Sequence, residues 1–219
     1  MPRIRPLPRS EAAPSVAAVY DTIFGKDRDP AVSPGTATGT PGGFFTTWGH
    51  LPDLLTQLLK YRPDPPVFSP ALRGLACARA GYATQSQFTF SQNCKVARWA
   101  GVDEKKIEAL PYWSGTTDIY TAEERAVLAF TDAHILEGGR VHDWLFAELR
   151  KFLNEEQLLS LSFTICLYGM HGRMAKGLRY DYDDIPDPIV EIPEPEIKPG
   201  VQDWRDPKWA DAYSERHSK

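Results

Sequence analysis

The amino-acid sequence predicts an all-α protein, and three observations carry that expectation. Apolar residues recur at helical spacing in one segment after another. Helix-capping residues stand where those segments begin. No segment alternates apolar and polar residues as a half-buried strand would. This punctuation divides the chain into about eight helices and an extended Pro-rich tail.

Val16, Val19, Tyr20, Ile23 and Phe24 form the first apolar stripe, and Gly25 stops it. Lys26 to Gly43, rich in Gly, Pro, Thr and Asp, reads as a long loop of the kind that serves as a lid or an oligomer contact. Its GTATGTPGG run lacks the Gly-Lys-Ser/Thr ending of a phosphate-binding loop. A second helical region spans Phe44 to Tyr61, broken at Pro52, with Leu51, Leu54, Leu55 and Leu58 on one side. Ser69-Pro70 is an N-cap followed by a first-turn proline. The helix it opens turns Leu72, Leu75, Ala76 and Ala80 inward, with Arg79 at the edge sending its charge outward. Thr84 opens the next helix and Gly101 closes it. Asp103 starts a short helix that ends near Pro111, and Thr121-Ala-Glu-Glu is a capping box for a helix running to about Gly138. A seventh helix covers Asp143 to Leu153. Asn154-Glu-Glu-Gln then caps a long last helix reaching about Leu178. That helix is apolar nearly all round, which places it in a bundle centre or a subunit interface. After Asp184 the Pro-rich IPDPIVEIPEPEIKPG is extended, and Ile185, Val190, Ile192, Trp204 and Trp209 suit it to lying against a surface.

Composition narrows the function classes. A chain of 219 residues fits one domain with extensions, or at most two small domains, and buries enough core to need no metal or disulfide staple. A net charge of −4 leaves no basic face for nucleic acid. Leu158 to Met170, the longest near-apolar stretch, is too short to span a bilayer. The N-terminal MPRIRPLPRSE has no apolar core and is not a signal peptide. Cys77, Cys94 and Cys166 are odd in number and lack metal-type spacing, which points to a reducing compartment and hence the cytoplasm.

On the helix opened at Thr84, Ser86, Thr89 and Asn93 fall at i, i+3 and i+7 and so share a face, which Tyr82 extends if the helix starts early. Phe90, Cys94 and Ala97 occupy the adjacent face. Such a stripe belongs to a surface helix or to one lining a pocket, and periodicity alone favours the surface.

Residues Ala71 to Leu110, ALRGLACARAGYATQSQFTFSQNCKVARWAGVDEKKIEAL, resemble the core repeat of the carboxymuconolactone decarboxylase/AhpD family. The opening PRIRPLP, GHLPDLL at Gly49 to Leu55, TAEERAVLAFTDA and RVHDWLFAELRKFL match in order and spacing, so the likeness covers most of residues 1–184 and leaves 185–219 as a tail packing on the domain or a neighbouring subunit. The resemblance implies an AhpD-like helical bundle, no cofactor, and a homo-oligomer (dimer, trimer or hexamer) acting on a small-molecule substrate, with no nucleic-acid or membrane partner. It also exposes a departure. The family's aromatic-Glu-aromatic-x-x-His reads Phe88-Thr89-Phe90-Ser91-Gln92-Asn93 here. The four relay positions of the redox-active members, two Cys, a His and a Glu, align with Ser86, Thr89, Asn93 and Gly74.

A dithiol peroxidase needs a thiolate and a resolving thiol, so redox chemistry ranks last among the readings. The leading expectation is a cofactor-independent, decarboxylase-like lyase or isomerase acting on a small cyclic or unsaturated oxygenated acid, lactone or phenol. Thr89 and Asn93 would stabilise an oxyanion, and His50 or His171 would move the proton. Tyr82, Ser86, Phe90, Trp48 and Arg173 would line the substrate site, Arg173 through its planar fork. The alternative is a catalytically silent member that binds a small molecule or serves as a structural subunit. Each of these residues also has a plainer role. His171 and Arg173 suit packing or an intersubunit salt bridge, and Trp48, Tyr82 and Phe90 suit the core. His134 reads as a buried-edge histidine bonded to backbone, and His142 as a helix cap.

Overall fold

The computed structural model of the protein describes residues 2–35, 42–60 and 67–180, with Asp183 and Glu191. The middle of the expected loop and nearly all of the tail, including Trp204, Trp209 and His217, lie outside the described residues. Among the described residues there are nine α-helices and no strand: α1 (Pro14–Phe24), α2 (Gly43–Trp48), α3 (Pro52–Lys60), α4 (Pro70–Ala83), α5 (Gln87–Trp99), α6 (Glu104–Ala109), α7 (Ala122–Ile135), α8 (Asp143–Leu149) and α9 (Glu155–Leu178). None of them is long and apolar enough to cross a membrane. The chain divides into two compact units, one within residues 2–61 and one within residues 62–192.

In the first unit α1 buries Val16, Tyr20 and Phe24. Tyr20 donates its hydroxyl to the Leu7 carbonyl at 3.0 Å, and Phe24 meets Phe45 of α2 edge-on at 5.5 Å. Trp48 stacks on Phe44 with ring centres 5.5 Å apart. Pro52 separates α2 from α3 as the sequence predicts, but of the leucines around it Leu55 is buried while Leu51 and Leu54 face outward.

The second unit holds most of the core. Residues from α4, α7, α8 and α9, among them Leu72, Val127, Phe130, Leu149, Leu161 and Ile165, form one apolar cluster. Leu75, Phe90, Cys94, Ile107, Leu110 and Leu128 form a second, built on α4, α5, α6, the 3-10 turn after it and α7. Capping boxes are present at both α7 (Thr121 with Glu124) and α9 (Asn154 with Gln157), so local chemistry sets these starts.

Three expectations are corrected here. Helix α5 is capped by Ser86, not Thr84. Thr84 ends α4, and Gln85 turns the chain with φ +58°, so Tyr82 belongs to α4 and cannot extend the α5 stripe. His142 stands at the N-cap of α8, but its ring makes no capping bond and stacks on Trp144 at 6.4 Å. Arg79 does not reach outward. It is buried and holds Asp132 of α7 in a two-point ion pair, Nε to Oδ1 at 2.6 Å and Nη2 to Oδ2 at 2.9 Å. Its third nitrogen donates to the Leu110 carbonyl at 3.0 Å, and Trp113 donates its indole N–H to Asp132 at 2.9 Å.

Helices α4 and α5 approach until backbone meets backbone. A Cβ on Gly74 would lie 2.6 Å from the Ala97 Cα, and one on Gly81 would lie 2.5 Å from the Phe90 nitrogen. Gly172 of α9 is pressed as closely against Thr84, which is why a glycine stands there. Two measurements follow. Gly81→Ala must push the helices apart, and urea unfolding should show a loss of about 1–3 kcal/mol. Asp132→Ala strands a buried guanidinium and should cost about 3–5 kcal/mol in the same assay.

Candidate functional site

Three of the four residues aligned with the family's relay, Ser86, Thr89 and Asn93, lie along the first half of α5, and the fourth, Gly74, meets Ala97 near its other end. Ser86, Thr89 and Asn93 are 0 %, 2 % and 3 % exposed, so the polar stripe faces the interior and the surface reading is overturned. Periodicity could not reveal this, because most of α5 is buried, Gln87, Ser91 and Lys95 included, and its outward side is the one carrying Gln92, Val96 and Trp99. As N-cap, Ser86 accepts the Thr89 N–H at 3.1 Å. The two hydroxyl oxygens are 2.9 Å apart. Asn93 donates its amide to the Thr89 carbonyl at 2.8 Å, one helical turn back, and a second N–H on the same nitrogen can serve a ligand.

Sequence reasoning missed the fourth member of this cluster. Asp183 lies after α9, and its carboxylate accepts the Ser86 hydroxyl at 3.0 Å and the Phe88 N–H at 3.5 Å. It is 8 % exposed. Burial raises its pKa, while Ser86, the Gln87 and Phe88 N–H groups and the positive charge of Lys176 act in the opposite direction. The one signal in the sequence is the acidic run Asp181 to Asp184 just past the last helix, and no spacing ties it to Ser86.

The Gly74 position is closed rather than merely altered. Ala97 of α5 fills the space a longer side chain would need, so a relay glutamate cannot be restored there without parting the helices. No thiol takes over. Cys94 is buried on the adjacent face, where desolvation pushes its pKa well up, and the cysteines form no disulfide.

The other candidates are placed as follows. Tyr82 packs edge-on against Phe90 at 5.4 Å and lies under the Arg79 guanidinium. His171 sits on α9 with its ring 5.5 Å from Tyr168, and burial lowers its pKa to about 4. Arg173 donates to the Ile135 carbonyl at the end of α7, at 3.3 Å. His50 and Trp48 belong to the unit of residues 2–61, where His50 is exposed with Nε2 3.0 Å from the Arg5 carbonyl. His134 bonds the Phe130 carbonyl at 2.9 Å and the Ser162 hydroxyl at 2.8 Å, as its plain reading predicts.

No protein-family profile and no curated protein matches the sequence. Solved structures do. An Agrobacterium tumefaciens protein of unknown function, likened to the antioxidant defence protein AhpD, is 25% identical over 58% of this chain and 86% of its own, with a TM-score of 0.51. The alkylhydroperoxidase AhpD core of an uncharacterized peroxidase-related protein from Ralstonia eutropha JMP134 aligns over 85% of this chain and 98% of its own, at 17% identity and TM-score 0.63. A point variant of the debrominase Bmp8, in complex with 2,3,4-tribromopyrrole, aligns over 81% of this chain and 90% of its own, at 22% identity and TM-score 0.62. These likenesses bear out the fold that the resemblance implied, and the chain is an all-α protein with the AhpD-like fold.

Proposed function

We propose that this chain is a cofactor-independent, decarboxylase-like lyase or isomerase acting on a small cyclic or unsaturated oxygenated acid, lactone or phenol. The observation that carries the reading is the buried stripe of Ser86, Thr89 and Asn93, which puts neutral hydrogen-bonding groups where a dithiol relay would stand. Loss of carbon dioxide or migration of a double bond leaves an enolate-like oxyanion. Hydroxyl and amide donors in a water-poor site stabilise such charge far better than they do in water. His171, neutral at pH 7 because burial lowers its pKa to about 4, is a poor proton donor there, and His50 already has the Arg5 carbonyl as a partner. Arg173, tied to the end of α7, must leave Ile135 to hold a substrate carboxylate.

A specific observation also favours a second reading, a silent member that binds a small molecule. Ser86 is already bonded to Asp183, and Asn93 to its own helix. Self-association is part of the proposal. Helix α9 leaves Leu159, Phe163 and Met170 exposed at near-helical spacing, a stripe suited to a second copy of the chain.

The test of the leading reading is a panel of muconolactones, muconates and hydroxybenzoates, assayed for carbon dioxide release and change in ultraviolet absorbance. Turnover should fall about 100-fold or more in Thr89→Val and in Asn93→Ala. Binding seen by thermal shift with no turnover of any compound favours the silent reading.

A second expectation concerns pH. The unfolded chain protonates His171 near pH 6.5, whereas the folded chain resists until about 4. The stability linked to His171 is therefore full above that window and is lost as pH falls through it. Denaturant unfolding between pH 7 and 4 should show this component in the wild type and lack it in His171→Gln.

A further inference from the structure

Asp183 stands at one end of an unbroken line of hydrogen bonds. Its backbone N–H donates to the Tyr180 carbonyl at 2.9 Å, and its side chain meets the first turn of α5. From the carboxylate the line runs 3.0 Å to the Ser86 Oγ and 2.9 Å further to the Thr89 Oγ1, and Thr89 shares a helix face with Asn93. The two hydroxyls occupy the positions aligned with the family's thiols. A hydroxyl does not itself titrate near neutrality. It passes a proton only by giving one while accepting another, so such a line transfers protons only if a titrating group terminates it.

Asp183 is that kind of terminus. The desolvating surroundings favour its neutral form, and the N–H groups of Gln87 and Phe88, the Ser86 hydroxyl and the Lys176 ammonium of α9 favour its anion. Lys176 also donates to the Gln85 amide oxygen at 3.3 Å, which holds it near the same turn.

We propose that Asp183 is the proton reservoir of this site, exchanging its proton with a bound substrate through the Ser86 and Thr89 hydroxyls. The proposal deepens the lyase or isomerase reading and rests on it. In a decarboxylation the bond to the departing carbon dioxide breaks and its electron pair stays on the substrate carbon. The Asp183 carboxylic acid gives its proton to Ser86, Ser86 passes its own to Thr89, and Thr89 delivers one to that carbon. Asp183 is left as the carboxylate and takes a proton back from water once the product leaves. In an isomerisation the line runs first one way and then the other, with no net proton consumed. Because Asp183 acts through two other residues, it is a positioning and proton-storing group rather than one in contact with substrate.

The experiment has two arms on the full-length chain. The first needs no substrate: infrared difference spectra of protein labelled with 13C at aspartate carboxyls, wild type minus Asp183→Asn, followed across pH. We expect a carboxylic-acid band that persists to higher pH than an ordinary aspartate allows, and whose titration shifts in both Ser86→Ala and Thr89→Val. An Asp183 that titrates as an ordinary aspartate, or a titration unmoved by Thr89→Val, overturns the proposal. The second arm follows the pH–rate profile with whichever compound of the panel turns over. Asp183→Asn keeps an acceptor for Ser86 but holds no exchangeable acid proton, and should lower kcat about 100-fold or more while KM changes little. Ser86→Ala, which leaves Asp183 in place, should do the same and guards against a folding defect in the first variant. Turnover that survives in both variants overturns the reservoir and leaves the lyase reading standing. A coupled infrared titration with no compound turned over leaves the hydrogen-bonded line intact and removes the lyase reading instead.

Discussion

Helices α4 and α5 meet backbone to backbone at Gly74 against Ala97 and at Gly81 against Phe90, and the site depends on that contact. Helices this close leave no room for side chains between them, which is why glycines stand at 74 and 81 where α4 meets α5. The polar residues on the buried side of α5 must find partners inside the protein. Ser86, Thr89 and Asn93 do so through each other, the helix backbone and Asp183. The same contact seals the Gly74 position. A longer side chain at position 74, a glutamate included, would therefore have to part the two helices.

Charge then fixes the ends of this helix pair. Arg79 carries α4 to α7 through Asp132, the Leu110 and Pro111 carbonyls accept from its remaining nitrogen, and Trp113 donates to the same Asp132 carboxylate, so the buried ion pair is bonded from both sides. Residues beyond α9 hold both ends of α5. Asp183 meets its first turn, and Glu191 pairs with Arg98 in the last turn at 2.9 Å, alongside Glu104 at 2.6 Å. The contact at the first turn places the Asp183 carboxyl group against the Ser86 and Thr89 hydroxyls.

Much of the fold was legible because helix starts are local. Capping boxes at Thr121 and Asn154, the Ser69-Pro70 start and the break at Pro52 are each written within four or five residues, and each is where the sequence puts it. The misreadings have different causes. The start of α5 was placed at Thr84 because the left-handed turn at Gln85 has no glycine to mark it. Periodicity alone favours the surface for this stripe because helical spacing reports which residues share a face and not what that face meets. Arg79 was sent outward because its partner is 53 residues away. Asp183 was missed because it is 97 residues from Ser86 and no motif joins them. The residue types on the site were therefore readable, while their burial and the carboxylate that completes them required the fold.

The account holds that the start of α5 is a water-poor, non-redox site for a small oxygenated ligand. A crystal structure of the protein soaked with the lactone, muconate and phenolic acid panel tests this most directly, read first at Thr89 and Asn93. The account predicts a ligand oxygen within hydrogen-bond distance of the Thr89 hydroxyl or the second Asn93 N–H, with the Ser86–Asp183 contact kept. A ligand seated away from α5, or none bound while the Ser86, Thr89 and Asn93 contacts stay unchanged, would contradict it.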